Sequence, residues 1–312
     1  MSGGIEGQLE SLDERALAAL LLKRARSDED FQLWLAAELA ALAARETREP
    51  LDPEPFRLRA AALLEADQAG RRGRHWDDGR ADIDATALEE LIAQVMPFIA
   101  SGDGNNALAI LMAIAGSLAD YWPQCADWDE TLHEFFPLLD GLIAQAMLLD
   151  GVSHEARADL ADELSTWQDE VAEYGADDAF AVAIAGAARG WNEPGLDDVL
   201  GGQGRIWPLD GNSDGLGDQL TTARLAALEA MGRTDRFLNL SLAAGRYCDH
   251  AVMLAKGECF DQALALLGLW NPQRRLAALS LGHRQPPAQD GNISDERGEA
   301  LFQIEQVILA LG

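Results

Sequence analysis

The chain has 312 residues, 48% of them hydrophobic, and a formal net charge of -29 from 53 acidic and 24 basic residues. Its length and apolar content allow a large buried core, while the acidic excess repels phosphate backbones and argues against general nucleic-acid binding. Its three cysteines include no Cys-x-x-Cys pair, which argues against a disulfide framework or a zinc knuckle and predicts a reducing compartment.

Alanine and leucine dominate while strand-forming residues are sparse, so the sequence predicts an all-α fold. The pattern Ser11-Leu-Asp-Glu14 resembles a capping box and opens a helix with Leu17, Leu20 and Leu21 on one face. Apolar periodicity predicts further helices after Ser27, over 55–67, from Thr86, and over 105–119, 129–149, 153–173 and 177–190. The segment from Gly70 to Gly79 lacks periodicity and is predicted to be a loop.

A glycine-rich break from Gly195 to Gly217 is predicted to divide the chain into an N-terminal helical lobe, residues 1–194, and a C-terminal array of short helices, residues 218–312. In that array Gly232, Gly245 and Gly257 each precede an aspartate, and each pair precedes a new apolar run. Glycine supplies a positive φ that ends one helix, and the aspartate is expected to cap the next.

Helical units this short cannot bury an apolar stripe alone, so neighbouring units must cover it. We therefore expect an α-solenoid of stacked antiparallel helical hairpins, similar to tetratricopeptide repeats. The last helix, from about Asp295, carries an apolar stripe of Leu301, Ile304, Val307, Ile308 and Leu311. That stripe folds back on the preceding helices, docks a second copy to form a homo-oligomer, or belongs to a longer protein.

Two stretches resemble a known family. Residues 167–180, Ala183-Ile-Ala and Gly190-Trp-Asn-Glu-Pro194 are similar to the helical region after the zinc finger in bacterial SWIM zinc-finger family proteins, and Leu220 to Leu228 resembles the next part. The resemblance implies tetratricopeptide-like hairpins used for protein contacts. The finger needs a Cys-x-Cys pair followed by Cys-x-His, and this chain has neither. The finger then lies elsewhere in a longer protein, or the chain is a fingerless relative.

Two patterns suggest metal sites. Cys248, His250 and Cys259 are zinc ligands in type, although core packing explains both cysteines more simply. The loop from Asp210, with Asn212, Asp214 and Asp218, matches the first half of an EF-hand calcium loop. Its twelfth position is Thr221 instead of glutamate, which favours an ordinary turn between helices. We predict neither a metal nor a cofactor, and no catalytic residues.

Charged and aromatic groups suggest a binding surface. The charged residues from Asp150 to Asp198 are all acidic except Arg157 and Arg189. This excess of carboxylates predicts a solvated face able to receive a basic partner. The basic cluster Arg71, Arg72 and Arg74 is followed by aspartates and is interpreted as a loop with local ion pairs. Tryptophans near chain breaks, Trp122, Trp128, Trp191 and Trp207, are buried anchors between helices or contacts for a partner.

Together these patterns predict a non-catalytic, acidic, cytoplasmic scaffold or adaptor that binds a protein partner, without direct nucleic-acid binding and without a membrane segment. Two alternatives stay open. One is an accessory helical module of a nucleic-acid-processing system whose zinc finger lies elsewhere. The other is a calcium-linked regulator that uses the loop from Asp210.

Overall fold

We describe a computed structural model of the chain for residues 12–72, 85–124, 130–208 and 215–269 and for residues 300, 303 and 304. All regular structure in these ranges is helical, which confirms the predicted all-α class. The chain divides into two compact units, Met1–Ile184 and Ala185–Gly312. The division falls before the predicted glycine-rich break, which lies inside the second unit.

The first unit contains α1 to α9 and the start of α10. The helices are α1 (Glu14–Ala25), α2 (Glu29–Thr47), α3 (Glu54–Arg72), α4 (Ala85–Ala93), α5 (Met96–Ala100), α6 (Gly104–Tyr121), α7 (Glu130–His133), α8 (Phe135–Met147), α9 (His154–Ala172) and α10 (Ala181–Arg189), with a 3-10 turn at Trp122–Gln124. The helix predicted after Ser11 is present, but the predicted capping box is wrong: Asp13 is the N-cap of α1 and accepts a hydrogen bond from the Ala16 amide, and Glu14 is the first helical residue.

Helix α6 lies at the centre of the first unit, because its sequence has no charged side chain before Asp120. It packs against α3, α4, α5, α8 and α9. Its buried side chains include Ala107, Leu108, Ile110, Leu111, Ile114, Ala115 and Leu118. A helix that is apolar on most of its faces must be covered by several others, so α6 organises the surrounding helices.

A buried asparagine connects α6 to the segment after α2. The Leu51 amide donates to Asn106 Oδ1 at 2.7 Å, and Asn106 Nδ2 donates to the Glu49 carbonyl at 3.2 Å. The Asn106 amide in turn donates to the side chain of Asp103, the N-cap of α6. These bonds satisfy buried backbone groups of an irregular segment that would otherwise lack partners.

The second unit contains the end of α10, α11 (Leu196–Leu200), α12 (Gly215–Ala230), α13 (Thr234–Ala243), α14 (Tyr247–Lys256) and α15 (Phe260–Leu269). The predicted short helices of the array are present, and each of α13, α14 and α15 packs against its neighbour in sequence. Gly232 and Gly245 have φ values of 65° and 71°, as predicted. At the third turn the prediction was wrong, since Glu258 takes the positive φ of 61° and Gly257 has a φ of -86°.

The aspartates of the array do not cap the helices as predicted. Asp235, Asp249 and Asp261 lie inside the first turns of α13, α14 and α15. The N-caps of α13 and α14 are Arg233 and Arg246, and neither makes a side-chain cap bond. An aspartate in the first turn of a helix interacts favourably with the positive end of the helix dipole.

Four residues of the predicted break contribute to the core of the second unit. Leu196, Val199, Leu200 and Trp207 form one buried cluster with residues of α12, α13 and α14. Of the last predicted helix, Ala300, Gln303 and Ile304 are described; Gln303 is exposed, whereas Ala300 and Ile304 are buried against α14 and α15. These two residues support the hypothesis that the terminal stripe folds back on the preceding helices.

A buried arginine of α12 holds the residues between α10 and α11 in place. Arg224 of α12 is 1% exposed, donates from Nη2 to the Gly190 carbonyl at 2.8 Å, and forms an ion pair with Glu193 at 2.6 Å. Its guanidinium lies 5.5 Å from the centroid of the Trp207 ring. Arg224 therefore connects α12 directly to the segment that follows α10.

None of the helices in the described ranges combines the length and the apolar character needed to cross a membrane.

Candidate functional site: an acidic cleft

The first unit has an open cleft of about 370 Å³ beside the C-terminal ends of α6 and α9. Its lining residues are Ala119, Asp120, Pro123, Asp169, Glu170, Glu173 and Tyr174. All four carboxylate residues are exposed, and Tyr174 is 46% exposed. None of the lining residues is basic, so the cleft concentrates negative charge at a surface that solvent and ligands can reach.

The backbone adds to that negative charge. The cleft lies where α6 ends at Tyr121 and where α9 ends at Ala172, and the last carbonyls of a helix carry a partial negative charge. Many helices place lysine or arginine in the last turn to offset this charge. Neither α6 nor α9 has a basic residue in its last turn. The two helix ends and the four carboxylates therefore favour a cation at the same place.

A glycine allows α9 to approach α6 closely. A Cβ atom added at Gly116 of α6 would lie 3.0 Å from the Trp167 ring of α9. Trp167 packs against Phe180, Phe180 against Phe136, and Phe136 against Trp122, with ring centroids 5.2 to 6.1 Å apart. This aromatic chain is typical of core packing and holds the end of α9 beside the end of α6.

Gly116→Val is expected to lower the free energy of unfolding by about 1–3 kcal/mol, because the new methyl groups overlap the Trp167 ring. Urea denaturation monitored by circular dichroism measures this change. Gly141→Val in α8 is the matched control, because a Cβ atom at Gly141 has no neighbour within 4 Å. Equal stability of the Gly116→Val variant and the wild type would contradict the close approach of α6 and α9.

The acidic run predicted from the sequence is exposed as expected. Of its carboxylates, Asp150, Glu155, Asp159, Asp162, Glu163, Asp169, Glu170, Glu173, Asp177, Asp178, Asp197 and Asp198 are exposed. Glu193 is the exception, since it pairs with Arg224. The sequence identified the charged surface but missed two residues of the cleft. Asp120 lies outside the acidic run, and Tyr174 lies within it but carries no charge. Their proximity depends on how α6 and α9 pack.

Comparisons of the chain with protein-family models, with curated proteins and with solved structures found no match. A functional assignment therefore rests on the chemistry of the described residues.

Two of the predicted tryptophans are buried in the core, in agreement with the interpretation as anchors between helices. Trp122 and Trp207 are 2% and 6% exposed. Trp191 is partly buried against the core of the second unit, and Trp128 lies outside the described residues. The aromatic side chain that the cleft offers to a ligand is Tyr174.

The zinc pattern is not assembled. Cys248 packs against the cluster around Ala251 and Ile304, whereas Cys259 is exposed, so the core interpretation is right for Cys248 and wrong for Cys259. His250 Nδ1 lies 3.0 Å from both the Leu238 carbonyl and Ser241 Oγ, and burial lowers the pKa of His250. Within the described part of the chain, no group of three or more His, Cys, Asp or Glu residues is placed to hold a metal.

Two other predicted sites lie mainly outside the described residues. Asp210, Asn212 and Asp214 of the calcium-like loop are not described, while Asp218 lies in the first turn of α12. Arg71 and Arg72 end α3, and Arg74 is not described. The calcium hypothesis therefore stays a prediction, whereas the loop interpretation is wrong for Arg71 and Arg72, which are helical.

Asp140 is an ionisable group in the core that the sequence analysis missed. It lies on α8, is 4% exposed, and accepts hydrogen bonds from the Val182 amide at 3.0 Å and the Ala183 amide at 2.7 Å. Its carboxyl group thus caps the N-terminus of α10 from another helix. Burial raises the pKa of Asp140 to about 7, against the opposing effect of the two amides, and the nearby Asp178 raises it further. In the sequence, a single aspartate within an otherwise apolar helix indicates such a buried group.

Proposed function

We propose that the protein is a non-catalytic interaction scaffold, whose acidic cleft binds a lysine- or arginine-containing segment of a partner protein. The observation behind this proposal is the convergence of four exposed carboxylates and two helix C-termini without a basic lining residue. Charge complementarity of this kind speeds association and selects partners by charge. Exposed ion pairs are weak singly, so several must act together.

Tyr174 gives the cleft a second means of recognition. It is 46% exposed beside Glu170 and Glu173, so part of the side chain can contact a guanidinium or the methylene stem of a lysine. An arginine side chain can stack on the ring while its charged end pairs with a carboxylate. The cleft is therefore expected to prefer arginine to lysine.

Binding fits the cleft better than catalysis. Catalytic acids and bases are usually placed in desolvated pockets, where the environment tunes their protonation. The carboxylates of this cleft are exposed and the cleft is open. Such groups form reversible ion pairs that respond to salt.

The proposed architecture is a tetratricopeptide-like array in the second unit. Its support is the order α13, α14 and α15, three short helices that each pack against the next. The resemblance of residues 167–194 to SWIM zinc-finger family proteins points in the same direction, because the helical region of that family is associated with protein contacts. We propose that the chain is a relative of that helical region.

The binding proposal can be tested with charge variants of one helix. The variant Asp169→Asn, Glu170→Gln, Glu173→Gln removes three carboxylates from the cleft while it keeps the shape of each side chain. We expect roughly tenfold weaker binding of a synthetic peptide with two arginines among glycine and serine residues, because exposed ion pairs contribute about 0.2–1 kcal/mol each. Fluorescence anisotropy of the labelled peptide measures the affinity.

The matched control is Asp159→Asn, Asp162→Asn, Glu163→Gln, which removes the same charge from exposed positions of α9 outside the cleft lining. It should leave the affinity within about twofold of the wild type, since exposed charges beyond a Debye length are screened at physiological salt. Equal losses in the two variants would mean that the peptide responds to net charge alone, which would contradict a cleft-specific site.

A further inference from the structure

Arg57 is a basic residue that lies close to the acidic cleft without lining it. It belongs to the first turn of α3, and Ser117 Oγ of α6 lies 3.3 Å from its carbonyl oxygen. Asp120 of the cleft follows Ser117 by three residues, and side chains with that spacing are neighbours on a helix surface. The backbone of Arg57 is therefore held about one helical turn from Asp120, within the span of an arginine side chain.

In the structure the guanidinium of Arg57 pairs with Glu54 of its own helix. Its Nε and Nη2 atoms donate to the two Glu54 carboxylate oxygens at 2.8 and 2.6 Å. Glu54 is the first residue of α3, where the helix dipole favours a negative charge. The two side chains are 54% and 51% exposed. An ion pair between exposed side chains is weak, so the guanidinium can leave Glu54 at little cost in free energy.

Asp120 is a second carboxylate that attracts this guanidinium. The hydrogen bond to Glu54 is the main cause of the raised pKa of Arg57, and the negative charge of Asp120 raises that pKa further. Asp120 is exposed, so a cation can approach it without displacing a buried group. Arg57 thus has two alternative acidic partners, one on its own helix and one in the cleft.

We infer that Arg57 is an internal competitor for the acidic cleft and that Glu54 holds it away from Asp120. The inference rests on the proposed function of the cleft as a binding site for a basic segment. While the guanidinium pairs with Glu54, Asp120 is open to a lysine or arginine of the partner. When the guanidinium turns to Asp120, it takes the place of the partner's cation, because a bidentate pair uses both carboxylate oxygens.

The NMR signal of the Arg57 Nε–H group, assigned by its absence in Arg57→Gln, tests the contact in the free protein. Glu54→Gln should move this signal, because the guanidinium loses its bidentate partner and turns to Asp120. Asp120→Asn should move it again in the Glu54→Gln protein and much less in the wild type, in which Glu54 still holds the guanidinium. A signal that Asp120→Asn leaves unchanged in the Glu54→Gln protein would overturn the inference.

Binding of the two-arginine peptide tests the competition. Arg57→Gln should raise the affinity about threefold and Glu54→Gln should lower it about threefold, the size of effect expected from one exposed ion pair. The double variant is the control, because Glu54→Gln should have no further effect when no guanidinium remains to be released.

An equal loss of affinity on Glu54→Gln with and without Arg57 would show two independent charges and would overturn the competition. If the wild type does not bind the peptide, the proposed function fails, and the NMR signal of Arg57 decides separately whether its guanidinium reaches Asp120.

Discussion

Arg224→Ala should lower the free energy of unfolding of the second unit by about 3–5 kcal/mol, the usual cost of removing one partner from a buried ion pair. The change leaves Glu193 without its partner and the Gly190 carbonyl without its donor, and it removes the guanidinium that packs on Trp207. Burial lowers the pKa of Arg224 while Glu193 raises it, and an arginine stays charged in this setting. Urea unfolding monitored by tryptophan fluorescence measures the effect.

A double variant of Arg224 and Glu193 distinguishes the loss of their ion pair from the loss of packing. Arg224→Met with Glu193→Gln replaces the ion pair by groups of similar volume, and we expect it to cost less than the sum of the two single variants. Additive losses would show that Arg224 and Glu193 act independently. A loss below about 1 kcal/mol for Arg224→Ala would contradict a buried network.

Asp140 should make the stability of the first unit depend on pH. The ordinary pKa of its carboxyl is 3.8, and burial raises the pKa in the folded protein to about 7. Between these values the folded chain holds a proton that the unfolded chain releases, so stability falls as the pH rises. The contribution is full below about pH 4 and is lost as the pH rises through about 7, a change of roughly 4 kcal/mol.

The variant Asp140→Asn isolates this effect, because its amide cannot ionise and other carboxylates are shared with the wild type. The stability of the wild type relative to the variant, from urea unfolding at several pH values, should decrease between about pH 4 and pH 8. A constant difference would mean that Asp140 keeps an ordinary pKa in the folded protein.

The features that the sequence predicted correctly are those that depend on residues close together in the chain. The turns at Gly232 and Gly245 are local, because a positive φ selects glycine directly. At the third turn, Glu258 takes the strained conformation and Gly257 does not, so the position of the turn depends on the packing of α14 and α15. A glycine next to an aspartate indicates a turn without fixing which residue bends.

The acidic cleft depends on contacts between distant residues. Asp120 is near Glu173 because Gly116 lets Trp167 pack against α6, and no local pattern encodes that approach. Asp140 is the one charged residue of α8 and Arg224 is the one basic residue of α12, which signals a buried partner without naming it. Their partners, Glu193 and the amides of α10, become visible only in the fold.

The most direct test of the acidic cleft is an NMR titration of the isotope-labelled protein with the two-arginine peptide, followed through backbone amide signals. We expect the largest shifts at Asp120, Asp169, Glu170, Glu173 and Tyr174, with saturation at one equivalent, and a peptide with glutamates in place of the arginines should cause none. Shifts spread evenly over the exposed carboxylates of both units, with Tyr174 unaffected, would contradict the account and leave only a diffuse acidic surface.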